Sequence, residues 1–209
     1  MEIYLIRHGE TEGNVAHRHQ VEKTQLTTLG RQQAEKVAAV MKEYKPTHLV
    51  TSNLVRAIET ARIIGQECDL MPETTEYFIE LARPKFLYGN YHFSLQSLWF
   101  YFQWYIGFGV GAKEGETYEM LLQRIKLAKQ YLQQFPDNAK VVVVSHSVFI
   151  TLFTAHVCHE KKMSFWQGAK AFWKVYKMAN TQVTPILFDA TANIEGKCCA
   201  WSVDRWLES

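Results

Sequence analysis

The chain has 209 residues, 47% hydrophobic and 21% charged, which is enough apolar material for a folded domain and excludes disordered, collagenous and fibrous classes. Its 23 basic side chains nearly cancel 21 acidic ones, leaving a net charge of +2 and no electrostatic footprint for nucleic acid. The four cysteines, Cys68, Cys158, Cys198 and Cys199, lack the density and spacing of a disulfide scaffold, and no signal peptide precedes Arg7, so a reducing cytoplasm is the expected location.

In chain order, the short apolar run Ile3 to Ile6 ends in Arg7-His8-Gly9 and predicts a buried strand entering a glycine-containing loop. Leu29 to Tyr44 places Val37, Val40, Met41 and Tyr44 on one helical stripe, with Thr27 or Thr28 as the cap. A strand is expected at Thr47 to Thr51, then a helix at Leu54 to Gly65, a strand at Thr74 to Ile79 and a helix at Tyr118 to Phe135. Four consecutive valines, Val141 to Val144, predict a strand covered on both faces. The tail, Ala171 to Trp206, reads as three strand-like runs divided at Asn180 and at Asn193 to Gly196, with antiparallel pairing near a sheet edge. Strands alternating with helices give an α/β fold: a three-layer α/β/α sandwich around a mostly parallel sheet, formed by one domain over residues 1–209.

One stretch breaks this rhythm. Phe86 to Ala112 holds no Asp, Glu, Lys or Arg but 11 of the chain's 28 aromatic residues. Polar residues from Asn90 to Gln103 keep it below the apolar length of a membrane span, so no stable membrane insertion is expected. It reads as an aromatic-rich helical cap inserted at about residues 84–115. The lack of Lys and Arg around it argues against an interfacial foot.

Ligands of open α/β sheets collect beyond the carboxyl ends of the strands. Arg7 and His8 follow the first strand, Arg56 lies in the helical turn after the second, Glu80 follows the third and His146 follows the valine strand. Two guanidiniums and two imidazoles converging on one crevice suit the oxygens of a phosphoryl group.

The motifs carry a resemblance. Leu5-Ile6-Arg7-His8-Gly9-Glu10-Thr11 with Asn14 resembles the opening of the histidine phosphatase superfamily, the phosphoglycerate mutase-like proteins. Leu26-Thr27 with Gly30 and Gln33-Ala34, then Thr51 to Ala57 with Thr60-Ala61, resemble its next blocks; Gly115-Glu116-Thr117 and Val144-Ser145-His146 resemble the last two. The resemblance runs from residue 2 to about 150.

It implies that His8 is a nucleophile forming a phosphohistidine, that Arg7, Arg56 and His146 hold the phosphoryl oxygens, that Asn14 contacts the phosphate, and that Glu80 is the general acid, later the base. It implies neither cofactor nor metal. After Glu80 the chain reads Leu81-Ala82-Arg83 where members often have Gly-Trp-Gly, which leaves Glu116 as a rival proton donor, and Ser147-Val148 stands where glycines are common. Mutases of the family usually carry Cys-Gly-Trp before the second block, whereas this chain has His19-Gln20-Val21-Glu22, which favours hydrolysis of a small-molecule phosphomonoester over mutase chemistry. The aromatic segment suggests an apolar or planar leaving group. A non-catalytic phosphate-binding module is the alternative outside enzymes, and nothing in the sequence sets an oligomeric state. His17 with His19, and His156 with His159 beside Cys158, have metal-ligand spacing but no completing ligands.

Overall fold

The computed structural model describes residues 1–107, 115–159, 161–192 and 199–203. Six described strands form one sheet: β1 (Glu2–Arg7), β2 (His48–Ser52), β3 (Glu73–Thr75), β4 (Lys140–Ser145), β5 (Val183–Phe188) and β6 (Trp201–Val203), in the spatial order β3-β2-β4-β1-β5-β6. Strands β3, β2, β4 and β1 are mutually parallel, while β5 runs antiparallel to both β1 and β6. The mostly parallel sheet and its antiparallel edge agree with the alternation read from the sequence.

Seven α-helices are described: α1 (Glu12–Val15), α2 (Thr28–Tyr44), α3 (Val55–Cys68), α4 (Leu95–Ile106), α5 (Tyr118–Leu132), α6 (Ser147–His156) and α7 (Phe165–Lys177). The side-chain period of two divides the central strands between two cores. Tyr4, Ile6, Leu49, Val142 and Val144 face α2 and α3, where Val37, Met41, Ala61 and Ile64 close one layer. Ile3, Leu5, Val141 and Val143 face Leu121 and Ile125 of α5 and Phe149 and Phe153 of α6. The central strand is therefore apolar at each of its four inner residues, Val141 to Val144, because both of its faces are covered.

Two expectations change. The first strand-like run of the tail belongs to α7, which has a capping box of Ser164 and Gln167. Lys170, Lys174 and Lys177, spaced four and three apart, show the helical period that its aromatic residues disguise. In the third unit only Glu73–Thr75 is strand; Glu76–Phe78 forms a 3-10 turn, with the Thr75 hydroxyl accepting from Tyr77 N–H. The turn at Asn193 to Gly196 lies outside the described residues.

Cysteine chemistry also departs from the expectation of no disulfide. Cys158 and Cys199 form one, 41 positions apart, tying the end of α6 to the start of β6. Among the described residues, no helix is long and apolar enough to cross a membrane.

Candidate active site

Register brings the site together. Parallel pairing places Arg7 opposite Ser145, so the residues leaving β1 and β4, His8 and His146, lie side by side with ring centroids 5.1 Å apart. Thr51 of β2 pairs with Val144, which sets Ser52 against His146: Ser52 Oγ is 2.7 Å from His146 Nε2. Arg56, in the first turn of α3, reaches back to His8, its Nε donating to His8 Nε2 at 3.2 Å.

The loop after His8 can make this approach only because two glycines cross there. A Cβ on Gly9 would stand 2.3 Å from Gly30 O, and one on Gly30 would stand 2.1 Å from Glu10 O. Thr27 caps α2 by accepting from Gly30 N–H, and Thr60 Oγ1 accepts from Gly9 N–H. The second motif block thus builds the floor under the first.

His8 is buried, and its Nδ1 lies 2.7 Å from Gly9 O. A carbonyl only accepts, so Nδ1 carries the proton and Nε2 keeps its lone pair. Burial, reinforced by Arg56 and Arg7, holds the His8 pKa well below the usual imidazole range, so the ring is neutral at neutral pH. His146 is fully buried behind His8 rather than on the cavity wall, and burial followed by Arg56 and His8 holds its pKa well below the usual range too. Its Nδ1 has no partner among the described residues. Ser52 Oγ also accepts from Leu54 N–H, which holds the hydroxyl in place against His146 Nε2.

Arg7, His8, Asn14, Arg56 and Glu80 line one cavity of about 410 Å³. Burial lowers the Arg56 pKa to about 10, with Arg83 and Arg7 acting in the same direction and Glu80 opposing them; the guanidinium stays charged at neutral pH. Arg7 is lowered by burial as well, and its Nη1 donates to Met178 O. Asn14 accepts with its amide oxygen from Thr11 and from Asn180 Nδ2, which leaves its Nδ2 as a donor with no partner among the described residues.

The two candidate proton donors separate. Glu80 lies on the cavity and accepts N–H bonds from Leu81, Val148 and Phe149, the last two in the first turn of α6. Glu116 is engaged elsewhere: both its oxygens accept from Arg124 at 2.7 Å, while Arg124 Nη1 donates to Tyr77 O and Ile79 O. Glu116 therefore clamps the segment that delivers Glu80.

Several cavity residues escaped the sequence reading. Arg83 lines the wall and donates from Nε to Tyr101 OH at 3.1 Å. His19 and His92 are paired rings, with centroids 4.7 Å apart and burial-lowered pKa values of about 3 and about 4. Asn180 Nδ2 donates to His8 O at 3.2 Å. Because β5 is antiparallel to β1, its beginning lies at the carboxyl end of β1; that pairing was the one available signal for Asn180. Arg83 lies in the stretch that departs from the family pattern. Among the described residues no three His, Cys, Asp or Glu side chains gather as a metal site.

Relatives share this architecture. The chain is 30% identical over 151 residues to a probable phosphoglycerate mutase, GpmB, of Escherichia coli, covering 71% of this chain and 70% of that one. A probable phosphoglycerate mutase of Proteus mirabilis is 46% identical over 69 residues, 32% of each chain. A mycobacterial glucosyl-3-phosphoglycerate phosphatase solved with VO3 superposes with a TM-score of 0.76 at 23% identity, covering 100% of this chain and 99% of that one. A phosphoserine phosphatase of Entamoeba histolytica gives 0.75 at 22%, covering 99% and 96%. These two structural likenesses carry the fold. The model of the histidine phosphatase superfamily, branch 1, matches residues 3–192, and the chain belongs to that family.

Proposed function

We propose that the protein is a metal-independent phosphomonoester phosphatase working through a phosphohistidine on a small-molecule substrate. The observation that carries this reading is the tautomer of His8: Nδ1–H is committed to Gly9 O, and the lone pair of Nε2 lies beside Arg56 in a cavity that Arg7 and Glu80 also line. In the first step Nε2 bonds to phosphorus as the ester P–O bond breaks, and Glu80 protonates the departing alkoxide. The Gly9 carbonyl steadies the positive charge that the ring acquires. In the second step Glu80 takes a proton from water, the water oxygen bonds to phosphorus, and the N–P bond breaks to return His8 and phosphate. Arg7 and Arg56 stabilise the migrating phosphoryl oxygens, with Asn14 Nδ2 as a further contact, while His146, fully buried, backs the His8 ring from behind.

An apolar or planar leaving group is favoured by a second cavity of about 470 Å³ between α4 and α7, which shares Tyr101, Val148, Phe172 and Val175 with the first. Leu98, Tyr101, Phe102, Trp104 and Tyr105 of the expected cap at 84–115, whose residues 108–114 lie outside the described residues, thus supply the wall for the leaving group within one domain. The sequence reading placed the chain in the cytoplasm; the Cys158–Cys199 disulfide instead favours an oxidising compartment.

The deciding experiment follows release of phosphate from p-nitrophenyl phosphate in EDTA by wild type and His8→Ala, with rapid-quench mass spectrometry. Acid-labile phosphate on His8, and loss of turnover in His8→Ala, are expected. Activity that vanishes with EDTA, or a labelled residue other than His8, refutes the reading; interconversion of 2- and 3-phosphoglycerate faster than phosphate release replaces it with mutase chemistry. Aryl and prenyl phosphates are expected to exceed small polar phosphates in kcat/KM, and equal values dispose of the apolar leaving group.

A further inference from the structure

The helix α7 is strongly amphipathic yet buries none of its 13 residues. Phe165, Ala169, Phe172 and Tyr176 recur four, three and four apart along one stripe; Trp166 and Trp173 flank it, and Lys170, Lys174 and Lys177 follow on the next stripe. Trp166 is 75% exposed and Phe165 64%. Beside α7 lies α4, which buries only Ser97 and Phe100 and leaves Leu95, Trp99 and Phe102 in the open. The two helices meet through Tyr101 against Phe172, and Tyr105 OH donates to Met163 O just before α7.

Among the described residues the charge on this face has one sign. Lys161, Lys162, Lys170, Lys174 and Lys177 are joined by no Asp or Glu anywhere from residue 161 to 188, and α4 has no charged residue. Among the described residues none of these lysines forms an ion pair with a carboxylate. The sequence argument against an interfacial foot was the missing basic residues around the aromatic segment; the fold brings them from 60 to 80 positions further along the chain, as the span from Trp99 to Lys161 and from Leu95 to Lys174 shows.

We propose that α4 and α7 form an interfacial docking face for an anionic lipid bilayer. Aromatic side chains enter the headgroup boundary, tryptophans mark the edge between apolar and charged stripes, and lysines meet the lipid phosphates. Sign complementarity selects this occupant: a second copy of the face would bring the same lysines against one another. The protein lies on the bilayer without spanning it. The shared residues Phe172 and Val175 put the mouth of the His8 cavity beside the face, so a phosphomonoester anchored by an apolar tail reaches the site from the membrane.

The test is co-sedimentation of the full chain with phosphatidylcholine vesicles, with and without phosphatidylglycerol, at low and high salt. Wild type is expected to sediment with the anionic vesicles and to be released by salt. Trp166→Ser with Trp173→Ser should lower the partition coefficient by on the order of tenfold, and Lys170→Gln with Lys177→Gln should remove most of the preference for phosphatidylglycerol. Both variants should keep the wild-type melting temperature and rate on soluble p-nitrophenyl phosphate. The melting temperature certifies the fold even if the phosphatase reading fails. Wild type left in the supernatant with both vesicle types overturns the proposal, as does a tryptophan variant that binds like wild type. A wild-type dimer that the tryptophan changes dissociate, with no vesicle binding, assigns the face to a second copy and also overturns it.

Discussion

Removing the Arg124 guanidinium tests how the site is held. The Arg124 and Glu116 side chains are 12% and 7% exposed, and Arg124 also supplies the donor for Tyr77 O and Ile79 O. Arg124→Met keeps an apolar stem over the Phe149 ring, where the guanidinium carbon now lies 4.6 Å from the centroid, but strands a buried carboxylate and two carbonyls. The stranded charge costs about 3–5 kcal/mol, and each carbonyl adds about 1 kcal/mol. The total is of the same order as the whole stability of a domain, about 5–15 kcal/mol. Glu116→Leu is milder, about 2–3 kcal/mol, because Arg124 keeps its two carbonyl partners. The double variant removes both charges and leaves only the carbonyls, so it should fall about 2 kcal/mol below wild type, well short of the sum of the singles. Urea unfolding at constant m-value measures all three. An Arg124→Met variant within about 1 kcal/mol of wild type, or a double variant equal to the summed singles, refutes the clamp.

Glu80→Gln should slow hydrolysis of alkyl phosphates by about 10²–10⁴-fold while sparing p-nitrophenyl phosphate, whose leaving group needs little protonation; equal losses on both remove Glu80 as the acid. Stability should fall on acidification from about pH 6.5, the unfolded imidazole value. Below it the unfolded chain binds protons that the folded His8 and His146 refuse, because their folded pKa values lie well lower, so unfolding takes up protons and is favoured. These two alone amount to roughly 2–3 kcal/mol between pH 6 and 5, and a flat denaturation midpoint over that range contradicts their neutral burial. Gly30→Ala, which drives a Cβ into Glu10 O, should lose about 3 kcal/mol and most activity by displacing the loop that holds His8; a wild-type melting curve would show that the loop yields freely. Reduction of Cys158–Cys199, which closes a span of 41 positions, should destabilise by about 4 kcal/mol, read as a lower melting temperature in dithiothreitol; no change despite two titratable new thiols rules that out.

The sequence alone determined the alternation of strands and helices, because a strand covered on both faces reads as an unbroken apolar run and a half-buried helix repeats every three or four residues. It also placed Arg7, His8 and Arg56 after strands that end at one cavity, whereas His146 came to lie fully buried behind His8. It misread α7, whose aromatic residues and valine are compatible with a strand until the lysine spacing is weighed. Other outcomes depended on which distant segments meet. Glu80 reached the cavity and Glu116 did not, because Arg124 on α5 claimed the latter. Asn180 arrived at His8 through the antiparallel β5, Cys158 found Cys199, and the lysines of α7 came to lie beside the uncharged α4. Local period is set by backbone geometry within a few residues, whereas contacts between segments are set by sheet order and register, which no single stretch of chain encodes.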